Sequence, residues 1–152
     1  MAEKARILVV EDELLVADDL REILTGSGYE VVGIVNSGTG AIRLAGEHHP
    51  NLVLMDINLN GEMDGITAAS EIRSRWSIPV IYATAYATRS IVDRAKKTDP
   101  FGFIFKPYNE MQIEMAIEIA LNFARIEQQL REHKESLRLR KDTPSGPVSP
   151  AS

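Results

Sequence analysis

Four uninterrupted apolar runs, each ending in side chains that can handle charge, constrain this chain more than any other feature. They are Ile7-Leu8-Val9-Val10 before Glu11 and Asp12, and Leu52-Val53-Leu54-Met55 before Asp56. The others are Val80-Ile81-Tyr82-Ala83 before Thr84, and Phe103-Ile104-Phe105 before Lys106. Runs without polar alternation suit strands covered on both faces, as in a parallel sheet layered with helices. Ligands in such sheets bind beyond the carboxyl ends of the strands. Three acids, a hydroxyl and an ammonium therefore meet at one edge. That set suits a divalent cation and an aspartyl phosphate.

Helical periodicity fills the gaps between the runs. Strands are predicted over residues 6–10, 29–35, 51–56, 79–84 and 101–106. The first helix spans 13–27, with Leu15, Val16, Leu20, Ile23 and Leu24 at helical spacing and Gly26-Ser27-Gly28 ending it. Ser37 and Asp64 are N-cap candidates for helices reaching residues 47 and 76. A short helix follows over 88–97, and a long one runs from about 109 to 141. Five strands alternating with five helices predict an α/β fold with a doubly wound sheet and right-handed crossovers.

A chain of 152 residues is enough for one domain with a real core. It has no cysteine, which excludes disulfides, thiolate catalysis and cysteine-based zinc sites. No N-terminal apolar segment and no membrane-length stretch is present, so a cytoplasmic location is the default expectation and no membrane partner is expected. Residues 1–124 carry 11 Lys and Arg against 18 Asp and Glu, and an acidic body is a poor nucleic-acid partner. Residues 125–141 carry 6 Lys and Arg against 3 Glu, a mixed pattern typical of a solvated helix face. Residues 142–152, with three prolines and three serines, read as a disordered tail or linker. The expected organisation is a body over 1–124, a helical extension over 125–141 and that tail.

Each element of the strand-end set is weak alone. Adjacent acids such as Glu11 and Asp12 are often a solvated turn, and a lone Lys is usually surface. Together they gain meaning. Three clustered carboxylates repel one another without a cation, and magnesium takes one or two such ligands along with phosphate oxygens. Lys106, Thr84 and the cation would neutralise a phosphoryl group, and phosphoryl transfer needs little beyond positioning and neutralisation. Other motifs fail. Gly38-Thr39-Gly40 lacks the third glycine of a dinucleotide loop, because Arg43 stands there. His48 and His49 lie near a helix C-terminus, where the dipole alone favours them.

The ordered set Val9-Val10-Glu11-Asp12-Glu13, Leu54-Met55-Asp56, Met63-Asp64-Gly65, Ala83-Thr84-Ala85 and Phe105-Lys106-Pro107 closely resembles the receiver domain of two-component response regulators. The resemblance covers roughly residues 5–124. It implies a flavodoxin-like sheet of strand order 2-1-3-4-5, followed here by an extended C-terminal helix. It implies Asp56 as phosphoacceptor. Asp12 would be the direct Mg2+ ligand, Glu11 a ligand mostly through water, and the Asn58 carbonyl a further metal contact. Thr84 would be the switch hydroxyl, Lys106 the phosphate-contacting lysine, and Phe103 the aromatic that reports phosphorylation. The implied donor is a histidine kinase or phosphotransfer protein, and the implied output is a changed face of helix 4, strand 5 and helix 5. Such a protein catalyses its own phosphorylation and slow dephosphorylation without turning over a substrate.

Two departures stand out: Asn60 occupies a position where many relatives have proline, and the Asp56–Gly65 spacing is longer by one residue than is common. A degenerate, phosphorylation-independent receiver is the alternative, although none of the key residues is lost. A magnesium-dependent phosphohydrolase of the haloacid-dehalogenase type is disfavoured, because it needs an Asp where this chain has Asn58. In the last helix Met111, Ile113, Ala116, Ile117, Ala120 and Leu121 are expected to cover the sheet; beyond that face, Phe123, Leu130 and Leu137 continue a heptad from Ala116, with Ile119 and Ile126 as a second seam broken by His133. That pattern favours a two-helix coil, hence a homodimer through this helix and the helix 4–strand 5–helix 5 face.

Overall fold

The computed structural model describes residues 4–142. Strands and helices alternate along them: β1 (Arg6–Val10), α1 (Leu14–Gly26), β2 (Glu30–Val35), α2 (Gly38–His48), β3 (Leu52–Asp56), α3 (Gly65–Trp76), β4 (Val80–Thr84), α4 (Arg89–Lys96), β5 (Gly102–Phe105) and α5 (Glu110–Asp142). All strand pairs are parallel, in the order β2-β1-β3-β4-β5. The expected flavodoxin-like α/β architecture, long last helix included, is the one observed.

Strand period sorts each apolar run between two layers. Leu8, Val10, Val53, Met55, Val80 and Tyr82 face one layer, with Ala41 and Ala45 of α2, Ile66, Ala69 and Ile72 of α3, and Ala95 of α4. Ile7, Val9, Leu52, Leu54 and Ile81 face the other, with Leu20 and Leu24 of α1 and Ile113, Ile117 and Ala120 of α5. This two-sided burial explains the lack of polar alternation. The caps expected at Ser37 and Asp64 form, accepting from the N–H groups of Gly40 and Thr67, and Thr88 caps α4 through Ile91 N–H.

Three burial expectations are corrected. Phe105 is 56% exposed, because β5 is an edge strand paired only with β4. Leu15 is 85% exposed, because α1 turns Ala17, Leu20 and Leu24 inward and leaves its first turn outside. Met111 is 68% exposed, since Ile113, Ile117 and Ala120 form the face that covers the sheet.

Among the described residues, those up to Leu121 make one compact unit and those from Asn122 to Asp142 make a second. In the second unit Phe123, Ile126, Leu130 and Leu137 are exposed, and Arg131–Glu127 and Arg138–Glu135 pair along the helix. The tail expected over 142–152 lies outside the described residues except for Asp142, which ends α5. No helix among the described residues is long and apolar enough to cross a membrane.

Registry places the chemistry. Val10 of β1 pairs with Met55 of β3, so the next residues, Glu11 and Asp56, emerge side by side. They do so at the switch point where the chain runs outward to β2 on one side and returns as β3 on the other. Gly65 opens α3 against this strand end, and a Cβ there would lie 2.0 Å from the Asp56 carbonyl oxygen. Backbone cannot yield as a flexible side chain can. Gly65→Ala is therefore expected to cost about 2–4 kcal/mol in urea unfolding, whereas Gly26→Ala, with open space around it, changes stability by less than about 1 kcal/mol.

Candidate functional site

Glu11 and Asp56 are almost fully buried at the carboxyl ends of β1 and β3, while Asp12 is half-buried. One carboxylate oxygen from each of the three lies within 4.8 Å of the others. Lys106 follows β5 and reaches back beneath the sheet edge. Its Nζ donates to Glu11 Oε1 at 2.6 Å and to Asp56 Oδ2 at 3.4 Å, with Glu13 Oε1 at 3.9 Å. The Lys106–Pro107 peptide is cis. The backbone N–H of Asn58 donates to Asp56 Oδ1 at 2.9 Å.

Thr84, wholly buried at the end of β4, faces the same opening. Its Oγ1 accepts from the Asn58 side-chain amide at 2.8 Å and donates to the Tyr86 carbonyl at 3.0 Å. Phe103 stands apart from the acids. It is half-buried on β5, with its ring centroid 5.5 Å from that of Tyr82. Thus the structure gathers Glu11, Asp12, Asp56, Asn58, Thr84 and Lys106 at one edge, with Phe103 behind it. His49 is elsewhere, edge-on to Trp76.

The charges do not balance. Among the described residues Lys106 is the one ammonium paired with Glu11 and Asp56, and Asp12 lies outside that pairing. Burial pushes the Asp56 carboxyl up, the Asn58 N–H opposes this, and neighbouring Glu11 adds to the rise, to about 7. Burial pulls Lys106 down, but the Glu11 hydrogen bond and the Asp56 charge win and hold its ammonium above the usual range. Several hard oxygens sharing surplus negative charge at an open edge suit a magnesium ion. The donor set fits that cation and is typical of a receiver's Mg2+ site.

Three participants escape sequence reasoning. The Asn60 N–H donates to Asp12 Oδ2 at 3.3 Å, a contact that a proline at this position could not make. The Asn58 amide contact with Thr84 leaves no mark in residue spacing. The Tyr108 hydroxyl is buried with no hydrogen-bond partner among the described residues. Burial first, then the charges of Glu11 and Asp56, raises its pKa.

The family model described as "Response regulator receiver domain" matches residues 7–118. The chain is 40% identical over 117 residues to the transcriptional regulatory protein PdtaR of Mycobacterium tuberculosis, covering 77% of this chain and 57% of that protein. It is 36% identical over 118 residues to the chemotaxis protein CheY of Bacillus subtilis, covering 77% of this chain and 98% of CheY. A solved signal receiver domain of a modulated diguanylate cyclase from Desulfovibrio desulfuricans G20 is similar with a TM-score of 0.79 and 33% identity, covering 82% of this chain and 99% of that one. The chain spans little more than half of PdtaR and covers 43% of the similar regulator PhyR of Methylorubrum extorquens.

The raised Asp56 pKa has a signed consequence for stability. The folded state holds this proton up to about pH 7, while an unfolded Asp releases it near the ordinary 3.8. The protonated form therefore favours the fold below about pH 4, and this advantage is lost as pH rises through 7. With no metal added, Asp56→Asn is expected to be more stable than wild type at pH 8 by about 2 kcal/mol, a figure reduced for solvent screening at the open edge. The gain should vanish toward pH 4. Saturating magnesium at pH 8 should also erase it, as read by thermal and urea unfolding.

Proposed function

The chain belongs to the response regulator receiver family, and on that premise we propose that it takes a phosphoryl group onto Asp56 and signals through the resulting change of shape. The carrying observation is the convergence of buried Asp56 with Glu11, Asp12 and Lys106 at one strand-end edge. Receiver domains interact with histidine kinases, so the proposed donor is a histidine kinase or a phosphotransfer protein. An Asp56 carboxylate oxygen forms the new P–O bond while the donor's bond to phosphorus breaks and the donor side chain leaves.

The proposed magnesium ligands are Asp12 directly, Glu11 through water, Asp56, and the Asn58 carbonyl. When bound, the ion supplies positive charge to the transferring phosphoryl oxygens. Lys106 holds a further phosphoryl oxygen. The Thr84 hydroxyl turns to donate to another, and Phe103 follows into the space that opens. The face of α4, β5 and α5 then changes its affinity for partners. Substrate turnover is not the purpose. The domain catalyses its own phosphorylation and a slow dephosphorylation, since Asn58 cannot act as a base on water.

The proposed organisation is a receiver over 1–124 and a helical stalk over 125–141. Ile126, Leu130 and Leu137 are exposed along that stalk and Phe123 just before it, which suits a coil with a second copy. The reading carries a cytoplasmic location and gives this acidic domain no nucleic-acid contact.

Two measurements test it. Acetyl phosphate with magnesium should label wild type once by mass spectrometry and leave Asp56→Asn unlabelled. Equal labelling of both would reject the assignment. In sedimentation, wild type with beryllofluoride should dimerise at high micromolar concentration, while Leu130→Glu and a chain ending at Ala124 should weaken the dimer. Monomers throughout would reduce the extension to a linker.

A further inference from the structure

We propose that the Asn58 side chain is a latch that holds the Thr84 hydroxyl in its unphosphorylated position. The inference rests on the reading of Asp56 as the phosphoacceptor and adds a positioning residue to it. Asn58 is exposed, and its side chain donates twice. Nδ2 gives one proton to Thr84 Oγ1 at 2.8 Å and the other to the Tyr86 carbonyl at 3.2 Å. The Thr84 hydroxyl donates its only proton to that same carbonyl, at 3.0 Å, and accepts from the Tyr86 N–H at 3.3 Å.

The inventory is full. A hydroxyl has one donor and two acceptor lone pairs, and all three are engaged. The Tyr86 carbonyl has two lone pairs, and both are taken. Asn58, Thr84 and the start of the β4–α4 connection thus form a closed hydrogen-bond set. Thr84 has no proton left to offer a phosphoryl oxygen until this set opens.

The same residue also touches the nucleophile. Its backbone N–H donates to Asp56 Oδ1 at 2.9 Å. One residue therefore contacts both the phosphoacceptor carboxylate and the switch hydroxyl, which are otherwise carried by different strands. The donations to Thr84 and Tyr86 belong to the unphosphorylated arrangement alone. Their loss is part of what a phosphoryl group must offset when it draws Thr84 inward, so they set the resting equilibrium of the switch.

Four chains test this: wild type, Asn58→Ala, Thr84→Ala and the double variant. In metal-free protein, the Tyr86 amide of Asn58→Ala should exchange with solvent about three- to tenfold faster than in wild type, the range expected for one or two net hydrogen bonds. With saturating magnesium, Asn58→Ala should bind beryllofluoride more tightly by about the same factor. In the Thr84→Ala background, Asn58→Ala should change beryllofluoride affinity by no more than about twofold, because a latch acts only through the hydroxyl it holds. A residue that merely shields the site from water would change the phosphoryl lifetime and leave the metal-free exchange untouched.

Equal Tyr86 exchange in wild type and Asn58→Ala overturns the latch, as does an undiminished Asn58→Ala effect on affinity without Thr84. Should wild type bind no more beryllofluoride than Asp56→Asn, the phosphoacceptor reading fails instead. The metal-free exchange then still decides whether the amide restrains the loop.

Discussion

Three carboxylates and one ammonium sharing a strand-end edge is the constraint on which the rest of this structure depends. At about 4 Å and a near-surface effective dielectric, each like-charge pair costs on the order of 4 kcal/mol. Left to itself such a cluster would spread into water. It stays together because β1 and β3 are locked in register by apolar side chains on both faces, from Ile7 to Val10 and from Leu52 to Met55. The core stabilises the fold, and the edge is where that stability is partly given back. Lys106 relieves only part of the strain, because its shortest contact is with Glu11, not with Asp56. The residual negative charge favours a bound cation at this edge. An edge already neutral would gain little from one.

The sequence made the strands and their chemistry legible for one reason. Two-sided burial removes polar alternation, and an acid or Lys directly after such a run has nowhere to go but the sheet edge. The caps at Ser37 and Asp64 were equally readable, since their side chains act within three residues of themselves. The misses share a cause of the opposite kind. Phe105 looks like the other strand apolars, and only strand order makes β5 an edge. Leu15 and Met111 fit a helical stripe, but the first turns of α1 and α5 leave both exposed, and no periodicity reports where cover stops. The Asn58–Thr84 contact joins residues 26 apart, between the loop after β3 and the end of β4. No local pattern carries that information.

Asn60 shows how a departure from a family pattern becomes interpretable only in three dimensions. By residue type it is a lost proline and a loop longer by one position. In the fold its N–H turns toward Asp12 Oδ2, giving the least engaged acid of the cluster a donor. The same loop gives Asp56 the Asn58 N–H. Its backbone thus engages two of the three carboxylates of the cluster.

The switch follows from the same accounting of donors and acceptors. A buried hydroxyl such as Thr84 must be satisfied in every populated state, since an unmade hydrogen bond in the interior costs about 1–3 kcal/mol. In the unphosphorylated arrangement Asn58 and Tyr86 satisfy it completely. A phosphoryl oxygen on Asp56 would be a competing acceptor of higher charge, and hydrogen bonds to ionised acceptors are roughly twice as strong as neutral ones. On the proposed reading, Thr84 would exchange one complete hydrogen-bond set for another through a half-satisfied state, which favours two discrete positions over a continuum. Phe103, half-buried against Tyr82, has no polar group that would need a partner, so the hydrogen-bond accounting at this edge rests on Thr84 and its neighbours.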